Sequence, residues 1–249
     1  MMVEAHRHQA RALAALWRVA TLALVFTLGV WASTSGTLGA MMQYREDIAF
    51  LTVQHLELVA ISGGIAIATG IPIGILLARR SLGLFGPVLT QLINLGTTVP
   101  TLAILALAMT VLGLGAPPAI FGLAVLTLLP IVLNTVAGLR AVPPALIEAA
   151  RGMGMTNLQI LLQVEIPNAL FVIAAGIRTA LAINVGTVPL AFLIGGGGLG
   201  ELIFTGIDLM DTGLLLAGAI PTALLAVAVD FIAGQLQFWL VPRGVNPLR

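Results

Sequence analysis

A chain of 249 residues that is 59% hydrophobic, 8% charged and of mean hydropathy +1.10 is not a soluble domain, since those average about 25% charged residues. Its net charge of +1 gives no bulk attraction for nucleic acid. Without cysteine it has no disulfides or thiolate metal sites. Without lysine it lacks the phosphate loop that needs one, so it does not hydrolyse ATP by that route.

A membrane helix needs roughly 20 apolar residues. Six segments qualify, at 19–38, 56–78, 92–113, 118–139, 174–194 and 213–236. Backbone groups in lipid must be satisfied internally, and these runs are too long for barrel strands, so the fold class is an all-α membrane protein. The expected organisation is an N-terminal arm at 1–18, one transmembrane domain at 19–244 with a polar loop at 140–173, and a tail at 245–249. The first segment ends in "WASTSG" and could be read as a cleaved signal peptide. An uncleaved helix is the expectation, and cleavage would leave the remaining topology unchanged.

Arginine placement orients the spans. Arg7, Arg11 and Arg18 precede the first, and Arg79 and Arg80 follow the second. Arg140 and Arg151 follow the fourth, Arg243 and Arg249 follow the sixth, and Arg45 alone falls on the opposite side. The positive-inside rule therefore places both termini and the 140–173 loop in the cytoplasm. Trp17, Trp31, Trp239 and Tyr44 fall near span ends, as an interfacial belt would. A cage for a cationic ligand is the alternative, but residues divided between two membrane faces are poorly placed to build one.

Polar groups inside the spans come next. Glu57 and Asp230 lie within or at the edge of apolar runs and His55 just before one, which makes them functional candidates. The alternative puts His55 and Glu57 at the outer interface and Asp230 on a cytoplasmic cavity. Arg178 is close enough to the start of its span to snorkel. The third segment gathers Gln91, Asn94, Thr97, Thr98 and Pro100. A proline breaks the helix there and neighbouring hydroxyls re-satisfy its carbonyls, which suits a pathway wall or a packing kink. Asn184, Thr187 and Pro189 repeat the theme in the fifth. The Gly195–Gly200 run matches G-x-G-x-x-G but has no preceding strand, so it reads as a turn and not a nucleotide site. No catalytic or metal-binding constellation is present, and no catalytic residue is assigned.

The loop "AVPPALIEAARGMGMTNLQILLQVEIPNAL" is the polar exception. Pro143 and Pro144 suit a first helical turn, helix formers continue to Arg151, and Gly152 and Gly154 supply a stop. Thr156 and Gln159 form a capping box for a second helix. Leu158, Leu161, Leu162 and Glu165 lie on one side of it, and Pro167 ends it or bends it into the fifth span. Either a connector lying on the bilayer or a knob for a soluble partner fits this pattern.

Glu148, Ala149, Ala150, Gly154, Val164, Ile166 and Pro167 stand at the spacings of E-A-A-x3-G-x9-I-x-L-P. This segment resembles the signature loop of binding-protein-dependent ABC importer permeases of type I, with conservative changes at Val164 and Ile166. "TVPTLAILALAMTVLGLG", "GTVPLAFLIGGGGLGELIFTGI" and "AIPTALLAVAVDFIAGQLQFWLVPRG" resemble the osmoprotectant branch of that family, which takes up glycine betaine, choline and carnitine; the likeness covers about residues 50–244. Val188-Pro189 departs from the small or hydroxylic residues expected there.

The resemblance implies a type I ABC importer permease fold in a bacterial inner membrane. It also implies that the loop is a coupling helix region seated on a cytoplasmic ABC ATPase. That ATPase would hold the ATP and Mg²⁺, leaving no cofactor in this chain. The implied partners are a second permease copy or paralogue and a separate extracytoplasmic binding protein. Asn94, Thr97, Thr98, Pro100, Asn184, Thr187 and Pro189 are the pathway candidates. The alternatives are a permease for amino acids such as methionine, or an autonomous secondary transporter or channel coupled through Glu57 or Asp230. Inverted repeats would favour the last, and none is visible.

Overall fold

The computed structural model describes residues 36–79, 82–242 and 244–245, together with Thr27 and Thr34. Most of the expected first span lies outside the described residues, as do Arg7, Arg11, Arg18, Trp17, Trp31, Arg80, Arg243 and Arg249. A short helix α1 (Thr37–Gln43) leads through Tyr44 into α2 (Arg45–Ala78). The second span is thus longer than its apolar core: Glu46 and Asp47 occupy its first turn, where the helix dipole favours negative charge.

Next come α3 (Phe85–Gly96) and α4 (Thr101–Leu112), then α5 (Ala116–Arg140) and a loop helix α6 (Pro144–Gly152). Helix α7 (Asn157–Ile160) passes through a π turn (Leu161–Glu165) into α8 (Ile166–Thr187), which tightens into a 3₁₀ segment (Val188–Ile194). Helices α9 (Gly200–Asp208) and α10 (Thr212–Leu240) complete the bundle. Among the described residues four helices, Arg45–Ala78, Ala116–Arg140, Asn157–Ile194 and Thr212–Leu240, are long and apolar enough to cross a membrane; α3 and α4, bent by 97° at their break, pass the same test together as one broken or re-entrant element.

Helix α5 is the hub, packed along α2 on one side and α8 on the other, with α10 against α8. Small residues make the α2–α5 contact close. Ala66, Gly70 and Gly74 recur at four-residue spacing on the buried face of α2, the spacing that lets membrane helices approach backbone to backbone. A Cβ at Gly74 would stand 2.5 Å from Thr135 Cβ of α5, so only glycine fits. The central core joins Leu58 and Val59 of α2, Leu105 of α4, Leu123 of α5 and Val185 of α8 with Val188 and Ala191 of the 3₁₀ segment.

Candidate functional site

The candidate docking element is built by local chain chemistry. Pro143 caps α6 and Pro144 opens it, where a missing N–H costs nothing. At the other end the Met155 N–H donates to Ala150 O (3.1 Å) and the Gly154 N–H to Arg151 O (2.9 Å). This is a Schellman closure, which requires a left-handed residue at its centre. Gly154 supplies it with φ +82°, and nothing lies within 4 Å of where its Cβ would be. Its glycine is therefore demanded by backbone angle, not by space. Thr156 and Gln159 form the expected capping box, with bonds of 3.3 and 2.8 Å.

Of the two forms expected for the second helix of the loop, the structure has the one that continues into the fifth span: the chain runs helically from Asn157 to Ile194. Proline cannot donate to the carbonyl four residues back and crowds it. Here the preceding turn widens to a π turn over Leu161–Glu165, so the helix passes Pro167 unbroken.

Of the expected docking residues, Glu148 and Ala149 are exposed, while Ala150 is 1% exposed and turned into the bundle. Ile147 packs against a buried cluster of Leu139 and Val142 at the α5 end with Ala169 and Ile173 of α8, on which Ile75 and Ala78 of α2 and Leu161 and Ile166 also rest. Val164 and Ile166 are half-buried, and Gly154 is exposed. Helix α6 is thus seated on a cluster built by the α5 end and α8, with one face outward.

Two arginines tie this end together. Arg79 Nη2 donates to Glu165 Oε2 at 2.7 Å, joining the end of α2 to the π turn. Arg140 Nη2 donates to the Leu77 carbonyl at 3.2 Å, satisfying a terminal acceptor of α2. Between them opens a cavity of about 620 Å³, lined by Arg79, Arg140, Ile147, Glu148, Arg151 and Glu165. The Arg79–Glu165 pair spans 86 positions and was not legible beforehand; a charge at each edge of an apolar run was its only signal.

The expected pathway residues fall into two groups. Asn94, Thr97, Thr98 and Pro100 are exposed at the break between α3 and α4. Thr97 Oγ1 donates to Asn94 O (2.6 Å) and Thr98 Oγ1 to Leu95 O (2.7 Å), adding to the backbone N–H bonds those carbonyls accept, while the Gly96 carbonyl that Pro100 releases accepts from the Val99 N–H at 3.2 Å. Asn184 and Pro189 are buried in the core and Thr187 is half-buried. Asn184 Nδ2 donates to Ser62 Oγ at 2.8 Å, and Thr187 Oγ1 to the Asn184 carbonyl at 2.9 Å. The structure does not gather all seven around one point, although α4, which follows Pro100, packs against the 3₁₀ segment that carries Pro189.

The remaining intramembrane polar groups are also placed. His55 is buried in the bundle: it is 0% exposed, and its Nε2 donates to the Val185 carbonyl at 3.1 Å. Glu57 is exposed on the same helix. Arg178 does not snorkel alone but forks onto Asp230. At the bundle end opposite the loop, the Tyr44 hydroxyl donates to Asp211 Oδ2 at 3.2 Å. That bond holds the Tyr44 phenol above its ordinary value. The Leu214 N–H, donating to Asp211 Oδ1 as the cap of α10, holds that carboxyl below the usual carboxylate range.

With the geometry in place, comparison with known proteins is direct. Residues 70–244 match the family described as binding-protein-dependent transport system inner membrane component. The osmoprotectant import permease protein OsmY of Salmonella typhimurium is 50% identical over 222 residues, covering 89% of this chain and 93% of that protein. The carnitine transport permease protein OpuCB of Listeria monocytogenes is 44% identical over 200 residues, covering 80% and 90%. A solved structure of the methionine ABC transporter MetNI in an inward-facing conformation matches at TM-score 0.70 and 24% identity. It covers 80% of this chain and 99% of that one, which establishes likeness of fold.

Proposed function

The chain belongs to the inner membrane components of binding-protein-dependent transport systems, and from that membership we propose that it is the permease subunit of an ABC importer for osmoprotectants of the glycine betaine, carnitine and choline type. It is a multi-pass membrane protein of the type I importer permease fold. The substrate reading is carried by the 50% identity, over nearly the whole of both chains, to a protein named as an osmoprotectant import permease. The fold likeness to the methionine transporter, at 24% identity, adds nothing about substrate.

In this reading both termini and the loop are cytoplasmic, as the arginine bias supports. Helix α6 docks on a separate ATPase that holds ATP and Mg²⁺. Exposed Glu148 offers a carboxylate at the seam and Ala149 permits close approach, while buried Ala150 fixes the helix to the bundle. Gly154 sets the angle of the following helix, and Val164, Ile166 and Pro167 continue it into the span. Closure of two ATPases draws two such loops together, which requires a second permease copy or paralogue. A separate binding protein delivers substrate to the opposite face. The seated geometry supports this, because force on α6 reaches α2, α5 and α8 through one apolar contact set. Asn94, Thr97, Thr98, Pro100, Asn184, Thr187 and Pro189 remain the proposed pathway positions, with the 97° break exposing polar side chains and backbone at 94–100.

The test of substrate class is competition. Cells lacking other betaine uptake, but carrying this permease with its ATPase and binding protein, are given labelled glycine betaine. Excess carnitine or choline should suppress accumulation and excess methionine should not. Suppression by methionine alone would move the assignment to amino acids.

A further inference from the structure

Arg178 and Asp230 each interrupt an apolar run, "ALFVIAAGI" before the one and "ALLAVAV" before the other. Charges at such positions are costly unless they are paired or face water. These two are paired, Nε to Oδ1 at 2.7 Å and Nη2 to Oδ2 at 2.5 Å. Their side chains nonetheless remain 39% and 40% exposed, so the chain neutralises the pair without sealing it. Beside it, between α8 and α10, opens a cavity of about 470 Å³ lined also by Phe231, Phe238, Gly234 and Gln235. A Cβ at Gly234 would stand 3.0 Å from Arg178 Nη1 and 3.1 Å from Cζ. Glycine here lets the guanidinium lie against α10.

Counting donors shows what this cavity is built to take. A guanidinium has five N–H groups in two usable forks. Asp230 occupies the Nε–Nη2 edge, and among the described residues Nη1 has no hydrogen-bond partner. The second fork, Nη1–Nη2, is matched to a carboxylate. Asp230 keeps lone pairs that Arg178 does not use, and phenyl faces attract an onium group. A ligand carrying both charges would therefore lie antiparallel to the Arg178–Asp230 dipole and leave no net charge at this depth.

We propose that this cavity is a transit site for a small zwitterionic quaternary amine. The ligand's carboxylate sits on the open Nη1–Nη2 edge of Arg178, and its onium group against Asp230 and the ring of Phe231. The proposal rests on the osmoprotectant reading and sharpens it. An onium without a carboxylate meets Arg178 with nothing to pair, so the site favours betaines over choline.

The test is equilibrium binding of labelled glycine betaine and labelled choline to the permease–ATPase complex in nanodiscs without binding protein. Variants are first shown by gel filtration to assemble. Glycine betaine should bind saturably and about tenfold more tightly than choline, since only it makes a charge-assisted fork. Arg178→Lys keeps the charge and loses the fork, and should weaken glycine betaine about tenfold. Phe231→Leu, at a ring that is 63% exposed, should weaken it about threefold. It carries the variant test if changes at Arg178 prevent assembly. Equal binding of the two ligands, or wild-type binding by Arg178→Lys, would overturn the proposal. So would absent binding by a wild-type complex that still imports glycine betaine once ATP and binding protein are supplied. A wild-type complex that imports no glycine betaine under those conditions would refute the osmoprotectant reading beneath it.

Discussion

Substitution at Gly154 separates backbone strain from steric contact, because its φ is +82° and no atom lies within 4 Å of the Cβ position. Alanine therefore meets no clash, and its cost is the left-handed conformation, about 1–2 kcal/mol. Reduced freedom of the unfolded chain returns about 0.4–1 kcal/mol of that, leaving a net loss of about 1 kcal/mol. Asparagine tolerates this region and should lose less; valine is β-branched and should lose more. Proline cannot reach a positive φ and also removes the 2.9 Å bond to Arg151 O, so it should cost about 3 kcal/mol or more. The loss should concentrate in α6, whose end depends on this closure. Hydrogen exchange of residues 144–156 in the reconstituted complex reads it locally, and substrate imported per ATP hydrolysed reads its consequence. Exchange should quicken in the order asparagine, alanine, valine, proline, and the proline variant should hydrolyse ATP with little import. A valine variant as protected and as well coupled as the asparagine one would refute the claim that backbone angle fixes this residue.

Three further outcomes follow from single contacts. Either Arg79→Gln or Glu165→Gln leaves a charge that is largely covered, and should cost about 2 kcal/mol in thermal unfolding of the complex; the exchanged pair Arg79→Glu with Glu165→Arg should recover much of it, and a swap no better than the singles would argue against the tie. Gly74→Ala forces a Cβ against Thr135 and should cost about 1–3 kcal/mol by overpacking, with relief in the Thr135→Gly background; equal losses in both backgrounds would dismiss the contact. Asp211 is held below its unfolded value of 3.8, so its contribution is complete above that value and is lost as pH falls through the lowered one; Tyr44, held above 10.0, loses its contribution only as pH rises through its raised value. Protection of the Leu214 amide should therefore hold across neutral pH and fail on strong acidification, and Asp211→Asn should flatten that acid limb.

What was legible in the chain tracks how local the governing physics is. The capping box at Thr156 and Gln159, the glycine stop at Gly154 and the break at Pro100 each depend on residues a few positions apart, and each is found where expected. The π turn before Pro167 was not legible. A proline predicts only that a helix must adjust, and here Leu161 and Ile166, on either side of the widened turn, both rest on the buried cluster of Leu139, Val142, Ala169 and Ile173. The pairing of Arg178 with Asp230 was equally hidden: each residue looks solitary in its own span, and only the α8–α10 contact brings them together. The burial of His55 was hidden for a related reason. It lies before the apolar run, but α2 begins ten positions earlier and carries it inside the bundle.

Under the proposed function this chain moves osmoprotectant only when an ATPase drives it through the α6 loop. Proteoliposomes holding the permease with its ATPase, supplied with binding protein and labelled glycine betaine, measure this directly. Accumulation should require ATP, and removal of the ATPase should abolish it. ATP-independent accumulation by this chain alone would contradict the account.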